Sequence, residues 1–120
     1  MRYAKCRRAG FKIAIDDMGA GFSSFADLYD YEIDLVKIDG EFIASCTSER
    51  RQTMLSNIIT LVHESGAKIL CEGVENLEQA DFLDKINCDM MQGFYFSKIL
   101  PLVECEKFLK NENITEGKIF

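Results

Sequence analysis

Proline is almost absent from the sequence: Pro101 is the single one in 120 residues. This scarcity, with 48% hydrophobic and 11% aromatic residues, excludes a disordered or fibrous chain and predicts one globular domain. Long apolar runs are also lacking, since no run approaches the roughly 18 residues of a membrane span. Residues 1–12 contain no apolar stretch of the kind that a signal peptide needs. We therefore expect a soluble, cytoplasmic domain without a membrane segment.

Paired cysteines are lacking as well. The five cysteines form no C-x-x-C motif, and their odd number disfavours a fully paired disulfide framework. Reduced thiols in a cytosolic protein are the better interpretation.

Basic residues are scarce beyond residue 12. Residues 1–12 hold five bases and no acid, so the remaining nine bases face all 20 acids and residues 13–120 sum to −11. A surface of that charge repels phosphate backbones, which disfavours DNA binding. Clustered carboxylates favour a divalent cation instead.

Short apolar runs alternate with helical patterns along the chain. Four runs have the composition of strands and predict strands over Phe11–Ile15, Ile33–Ile38, Lys68–Cys71 and Met90–Phe96. The spacing of apolar residues predicts helices over Ser23–Tyr29, Glu49–Ser65 and Leu102–Lys110, and a further helix that begins after Asn76, where Gln79 completes a capping box. Because parallel strands need long crossovers, this order predicts an α/β fold built from βαβ units. Residues 111–120 are expected to form a polar tail.

Polar residues stand at or near the end of each predicted strand. The carboxyl ends of parallel strands meet at one edge of the sheet, where ligands and catalytic groups collect. The sequence therefore predicts one site at that edge, formed by Asp16, Asp17, Lys37, Asp39, Glu72 and Gln92.

The adjacent carboxylates Asp16 and Asp17 have two interpretations. They repel each other near a buried strand end, and a bound magnesium, manganese or calcium ion would offset that repulsion. Alternatively, both aspartates cap the glycine-containing turn that follows. Lys37 lies within an apolar strand and needs a carboxylate neighbour, so it is either a catalytic group or half of a structural ion pair with Asp39 or Asp34.

Two further features are weaker. Gly19 and Gly21 form a G-x-G loop that would let backbone approach a ligand, although such a loop is more often a simple turn. His63 is the one histidine and falls within a predicted helix, which favours a surface or packing role.

Four ordered segments carry the most specific signal: Asp16–Ser24, Val36–Asp39, Cys71–Glu75 and Gln92–Lys98. They resemble the motifs of the EAL family of cyclic di-GMP phosphodiesterases. Asp16–Ser24 is similar to the family's Asp-Asp-Phe-Gly-Thr-Gly-Tyr-Ser-Ser loop, and Val36–Asp39 to its Leu-Lys-Ile-Asp strand. Cys71–Glu75 is similar to Ala-Glu-Gly-Val-Glu, and Gln92–Lys98 to Gln-Gly-Tyr-x-Phe-Ser-Lys. The resemblance covers about residues 8–109 and is specific, because four motifs agree in order and spacing.

This resemblance implies a partial TIM-like barrel, a (βα)4 unit that corresponds to the last four strands of an EAL barrel. It also implies metal-dependent hydrolysis of cyclic di-GMP to linear pGpG with Mg²⁺ or Mn²⁺. By position, Asp16 and Asp17 would bind the metals, Lys37 would orient and help deprotonate the attacking water, and Glu72 would be the general base. Gln92 would position water or substrate. The supporting residues would be Asp39, which holds Lys37, Glu75, which braces the loop after Asp17, and the loop glycines Gly19 and Gly21.

The sequence also departs from the family. It contains no Glu-Ala-Leu tripeptide, and the family's earlier metal-binding glutamate, asparagine and further glutamate have no counterpart, so the metal site is incomplete. Met18 and Ile99 replace phenylalanine and proline. We expect a chain that is inactive alone and that associates with itself or with a missing N-terminal half-barrel. The alternatives are a non-catalytic module that binds cyclic di-GMP or a protein, and an unrelated α/β metal enzyme.

Overall fold

The fold is known from a computed structural model, which describes residues 2–18 and 23–111. Six helices and four strands follow one another within these residues. The elements are α1 (Arg2–Arg8), β1 (Ala14–Met18), α2 (Ser23–Asp30), β2 (Leu35–Ile38), α3 (Gly40–Ser45), α4 (Glu49–Glu64), β3 (Lys68–Cys71), α5 (Leu77–Lys85), β4 (Met90–Met91) and α6 (Leu102–Asn111). The alternation confirms the predicted α/β fold.

The four strands form one parallel sheet in the order β1-β2-β3-β4. Each crossover between neighbouring strands contains a helix, as parallel pairing requires. The described part of the chain measures 41 × 41 × 21 Å, which fits one sheet with a layer of helices on one face. The carboxyl ends of all four strands therefore lie along a single edge.

One face of the sheet is covered and the other is open. Val36 in β2 pairs in register with Ile15 and Ile69, and these three side chains are 0–8% exposed because helices pack over them. The alternate residues of β2, Leu35 and Lys37, are only half-buried. The hydrophobic core thus lies between the sheet and the helices, and the opposite face carries no covering layer within the described residues.

The helix ends follow from local sequence. The Ser48 hydroxyl accepts a 3.3 Å hydrogen bond from the main-chain N–H of Arg51 and caps α4. After α4, Gly66 adopts φ +90°, the left-handed conformation that glycine tolerates best. The Asn76 side chain accepts a 2.9 Å bond from the N–H of Gln79, which confirms the predicted cap of α5.

Some predicted bounds were wrong. The first strand begins three residues later than predicted, so it contains Asp16 and Asp17 instead of preceding them. The fourth ends at Met91, because residues after Gly93 turn back in 3.1 and 3.2 Å main-chain bonds from Phe96 and Ser97 to the Gly93 carbonyl. The short helix α3 was not predicted.

Two predictions fall on parts of the chain outside the described residues: the Gly19 and Gly21 loop, and the tail from residue 112 onwards. Within residues 2–18 and 23–111, no helix combines the length and apolarity that crossing a bilayer requires.

Candidate metal and phosphodiester site

Side chains from three neighbouring strands meet at the carboxyl edge of the sheet. Asp16 and Asp17 come from β1, Lys37 from β2, and Glu72 directly follows β3. One carboxylate oxygen each from Asp16, Asp17 and Glu72 lie within 4.8 Å of one another. The structure therefore brings together four of the residues that the sequence singled out.

A bulge in β1 places both aspartates at this edge. Ile15 pairs with Val36 and Met18 with Ile38, so Asp16 and Asp17 together stand opposite one residue of β2, Lys37. A two-to-one mismatch of this kind bends a strand and redirects its side chains.

The bulge holds Asp17 in an unusual backbone conformation. Its φ is +53°, in the left-handed region that aspartate and asparagine tolerate better than most residues. The main-chain N–H of Asp17 also donates a 2.9 Å hydrogen bond to Oδ1 of Asp16. Backbone strain of this type is common where a side chain must be aimed at a ligand.

Lys37 joins the carboxylates of two neighbouring elements. Its Nζ lies 2.7 Å from Oε1 of Glu72 and 3.7 Å from Oδ1 of Asp16. The hydrogen bond to Glu72 raises the pKa of Lys37 above its ordinary value; burial opposes this, and the charges of Glu72 and Asp16 add to it. Lys37 is therefore an ammonium that donates hydrogen bonds.

The alternative partners of Lys37 lie elsewhere. Among the described residues, the carboxylates within 4.0 Å of its Nζ belong to Asp16 and Glu72, so the expected contact with Asp39 is absent. Asp39 is the N-cap residue of α3, where its side chain makes no capping hydrogen bond. Asp34 instead pairs with Arg7 at 2.7 Å. The ion pair of Lys37 thus belongs to the acidic site.

The three carboxylates repel one another. The negative charge of Asp16 is the largest cause that raises the pKa of Asp17, followed by burial and by the charges of Asp39 and Glu72. Lys37 offsets only part of this repulsion. Three carboxylates that converge on one point match the hard oxygen ligands of Mg²⁺ and Mn²⁺. The donor set fits such an ion, whose remaining coordination positions must be filled by water, substrate or groups outside the described residues.

Three glycines bring the loops behind the site into contact. Two of them, Gly73 and Gly93, lie in segments that resemble motifs of the EAL family. A Cβ on Gly73 would lie 2.6 Å from Cα of Gly40, so the loop after β3 touches the start of α3. A Cβ on Gly93 would overlap the backbone of Val74. The sequence does not predict a role for Gly40. The only indication is that this glycine directly follows Asp39, the polar residue at the end of the second predicted strand.

Gln92 and Glu75 lie at the border of the site. Gln92 follows β4, is exposed, and bonds through its main chain to the carbonyl of Cys71 at 2.9 Å. Glu75 is exposed, and its main-chain N–H donates a 2.8 Å bond to Oε1 of Gln79. The loop that Glu75 was expected to brace, residues 19–22, lies outside the described residues.

His63 is remote from this edge. It lies on α4, and its Nε2 is 2.7 Å from Oδ2 of Asp89, which precedes β4 at the amino end of the sheet. This placement agrees with the predicted surface role.

Known proteins share much of this sequence. The chain is 36% identical over 107 residues to the cyclic di-GMP phosphodiesterase NbdA of Pseudomonas aeruginosa, a match that covers 88% of this chain and 14% of NbdA. The chain thus spans only a small part of the curated relatives that it matches.

Solved structures agree with the sequence comparison. An EAL domain protein of Listeria monocytogenes superimposes with a TM-score of 0.81 at 39% identity, over 89% of this chain and 44% of that one. BlrP1 of Klebsiella pneumoniae, solved as a manganese and cyclic di-GMP complex, superimposes with a TM-score of 0.69 at 34% identity, over 77% of this chain and 24% of that one. The fold of this chain therefore matches part of the barrel of EAL proteins. The family model for the EAL domain matches residues 2–99, and the chain belongs to the EAL domain family.

Proposed function

We propose that this chain supplies one half of the active site of a metal-dependent cyclic di-GMP phosphodiesterase, which cleaves one phosphodiester to give linear pGpG. The observation that carries the proposal is the convergence of Asp16, Asp17 and Glu72, whose carboxylate oxygens lie within 4.8 Å of one another. Relatives that match 88% of the chain include a cyclic di-GMP phosphodiesterase.

Each residue of the site has a role that its position supports. Asp16 and Asp17 would hold Mg²⁺ or Mn²⁺, which when bound lowers the pKa of a coordinated water and offsets charge on the phosphate. Glu72 accepts a proton from the attacking water, and its 2.7 Å bond to Lys37 fixes the carboxylate for that transfer. Lys37, held as an ammonium, orients the water and the phosphate oxygens by donating hydrogen bonds. Gln92, exposed beyond β4, is placed to position water or substrate.

The site needs more groups than residues 2–18 and 23–111 bring together. Mg²⁺ prefers six ligands in octahedral geometry, and the described residues bring three carboxylates together. The chain covers 44% of the Listeria EAL domain protein, so about half of that fold has no counterpart here. We therefore expect little hydrolysis by the separate chain and completion of the site by a partner that supplies the other half of a barrel.

A binding module is the second candidate function. The open face of the sheet and the incomplete ligand set would permit nucleotide or protein binding without turnover. The two candidates differ in one measurable property, since only the enzyme half should produce pGpG in a metal-dependent manner.

The test is a hydrolysis assay with Mg²⁺ or Mn²⁺, for the chain alone and mixed with the segment of the Listeria EAL domain that it does not cover. Metal-dependent pGpG formation by the mixture, abolished by Asp16→Asn and unaffected by Glu104→Gln on exposed α6, is the expected result. A folded mixture that binds cyclic di-GMP without turnover would overturn the phosphodiesterase and leave the module.

A further inference from the structure

The loops that follow β3 and β4 are joined by main-chain hydrogen bonds. The N–H of Gln92 donates a 2.9 Å bond to the carbonyl of Cys71. The N–H of Val74 donates a 3.0 Å bond to the carbonyl of Gln92, and the carbonyl of Val74 accepts a 3.0 Å bond from the N–H of Tyr95. Both main-chain polar groups of Val74 are therefore bonded to the loop that carries Gln92.

Gly93 permits this close contact between the two loops. A Cβ at Gly93 would lie 2.1 Å from the carbonyl oxygen of Val74 and 2.4 Å from its nitrogen, so no larger residue fits without a shift of the backbone. The carbonyl of Gly93 also accepts bonds of 3.1 and 3.2 Å from the N–H groups of Phe96 and Ser97. Residues 92–97 thus form a compact turn that is packed directly on the main chain of Val74.

The side chain of Val74 anchors the contact in the hydrophobic core, where it is 0% exposed. The residues on either side of it are held as well. Gly73 lies against the start of α3, and the N–H of Glu75 donates a 2.8 Å bond to Oε1 of Gln79 in α5. A loop with a buried anchor and contacts on both flanks opens less readily than an exposed one.

We propose that Val74 is a positioning residue, whose buried side chain and two main-chain bonds hold Gln92 at a fixed place relative to Glu72. Glu72 lies two residues before Val74, and Gln92 is bonded to Val74 directly. The two loops then move as one unit, so a divalent cation that orders Glu72 also orders the loop of Gln92. Metal binding thereby prepares the place where Gln92 meets water or substrate.

The first experiment measures hydrogen exchange of single amides by NMR in the purified chain without metal. If the two loops open together, the amides of Val74, Gln92 and Tyr95 share one opening equilibrium, and their protection factors should agree within about threefold. This measurement needs no substitution and no metal. The effect of a cation on Gln92 rests on the proposed function, whereas the joint opening of the loops does not.

A pair of matched variants tests the anchor. Val74→Ala shortens the buried side chain and keeps every main-chain group, so exchange at Gln92 and Tyr95 should accelerate by about tenfold or more. Val62→Ala is the control, since Val62 is also 0% exposed but lies near the end of α4, away from the carboxyl edge of the sheet. It removes the same group from the core and should not single out the amides of these two residues.

Mg²⁺ then tests the coupling to the site, with its affinity measured separately by calorimetry. The cation should slow exchange of the Tyr95 amide in the parent and in Val62→Ala, and by a smaller factor in Val74→Ala, because Val74 connects Tyr95 to the loop of Glu72.

Three results would overturn the inference: unrelated protection factors in the metal-free chain, equal effects of the two variants on Tyr95, or Mg²⁺ binding that leaves the Tyr95 amide unchanged. Failure of Mg²⁺ to bind would instead count against the proposed metal site. The metal-free exchange and the two variants would still decide whether Val74 joins the loops.

Discussion

Asp34 and Asp89 make the same type of hydrogen bond at the amino end of the sheet. Asp34 directly precedes β2, and its Oδ2 accepts a 2.7 Å bond from the main-chain N–H of Ile13 beside β1. Asp89 directly precedes β4, and its Oδ2 accepts a 2.8 Å bond from the N–H of Ile69 in β3. Each carboxylate therefore connects the start of one strand to the preceding strand, at the edge opposite the acidic site.

The Asp34 arrangement predicts a loss of stability in acid. Hydrogen bonds from Arg7 and from the Ile13 N–H hold the pKa of Asp34 below its ordinary value. A carboxyl whose folded-state pKa is depressed stabilises the fold above its unfolded pKa of about 4, and this contribution is lost as pH falls through the folded value. The urea midpoint should decrease below pH 4, and Asp34→Asn should lower the midpoint at pH 7 and flatten that part of the profile. An unchanged profile in the variant would contradict this role.

Ionisation of Asp17 is predicted to have the opposite effect on stability to ionisation of Asp34. Its pKa is raised, chiefly by the charge of Asp16, so ionisation of Asp17 opposes folding in the absence of a cation. Asp17→Asn keeps a residue type that tolerates φ +53° while removing one of the repelling charges. The variant should unfold at a higher temperature than the parent without metal, and should bind Mn²⁺ more weakly by about tenfold or more, measured by calorimetry.

The control for the Asp17 variant is Asp81→Asn, which removes an exposed carboxylate from α5. That control should change neither the melting temperature in the absence of metal nor the Mn²⁺ affinity. Equal effects of the two variants would mean that net charge, and not the site, is responsible.

The ion pair between Lys37 and Glu72 predicts a dependence of stability on metal. Lys37→Met removes the ammonium and leaves three carboxylates without a compensating side chain, which should destabilise the metal-free fold by about 1–2 kcal/mol. Mn²⁺ should raise the melting temperature of this variant by more than it raises that of the parent, because the cation replaces the lost charge. Lys68→Met, at an exposed position in β3, is the control and should show no such difference.

Local sequence predicted the elements whose cause is local. The strand Lys68–Cys71 and the cap of α5 at Asn76 were confirmed, because an uninterrupted apolar run and a side-chain cap act over a few residues. The polar residues at strand ends also predicted the edge where the site lies. These signals were sufficient to assign the fold class and four residues of the cluster.

Contacts between distant segments could not be predicted in this way. The partners of Lys37 depend on the register of β1 against β2, which a bulge shifts by one residue. The end of β4 depends on the close approach of Gly93 to Val74, a contact across two loops. The sequence shows each glycine but not the neighbour that excludes a larger side chain.

Contact between the backbones of Gly40 and Gly73 gives the last prediction. Gly73 adopts φ +70°, and a Cβ there would lie 2.6 Å from Cα of Gly40, so Gly73→Ala meets both an unfavourable backbone conformation and a steric overlap. Gly66 adopts a similar φ of +90°, but a Cβ there would have no heavy atom of another segment within 4 Å, so Gly66→Ala isolates the conformational part. Gly66→Ala should destabilise the fold by about 1 kcal/mol, and Gly73→Ala by about 2–4 kcal/mol.

The same pair of variants separates stability from the geometry of the site. Gly73 directly follows Glu72, so we expect relief of the overlap to displace the Glu72 carboxylate from its position beside Lys37. Chemical denaturation gives the two stabilities, and Mn²⁺ calorimetry under conditions where both variants are folded gives the affinities. Gly73→Ala should lose Mn²⁺ affinity whereas Gly66→Ala should keep it. Equal affinities would show that the glycine contact stabilises the loops without positioning Glu72.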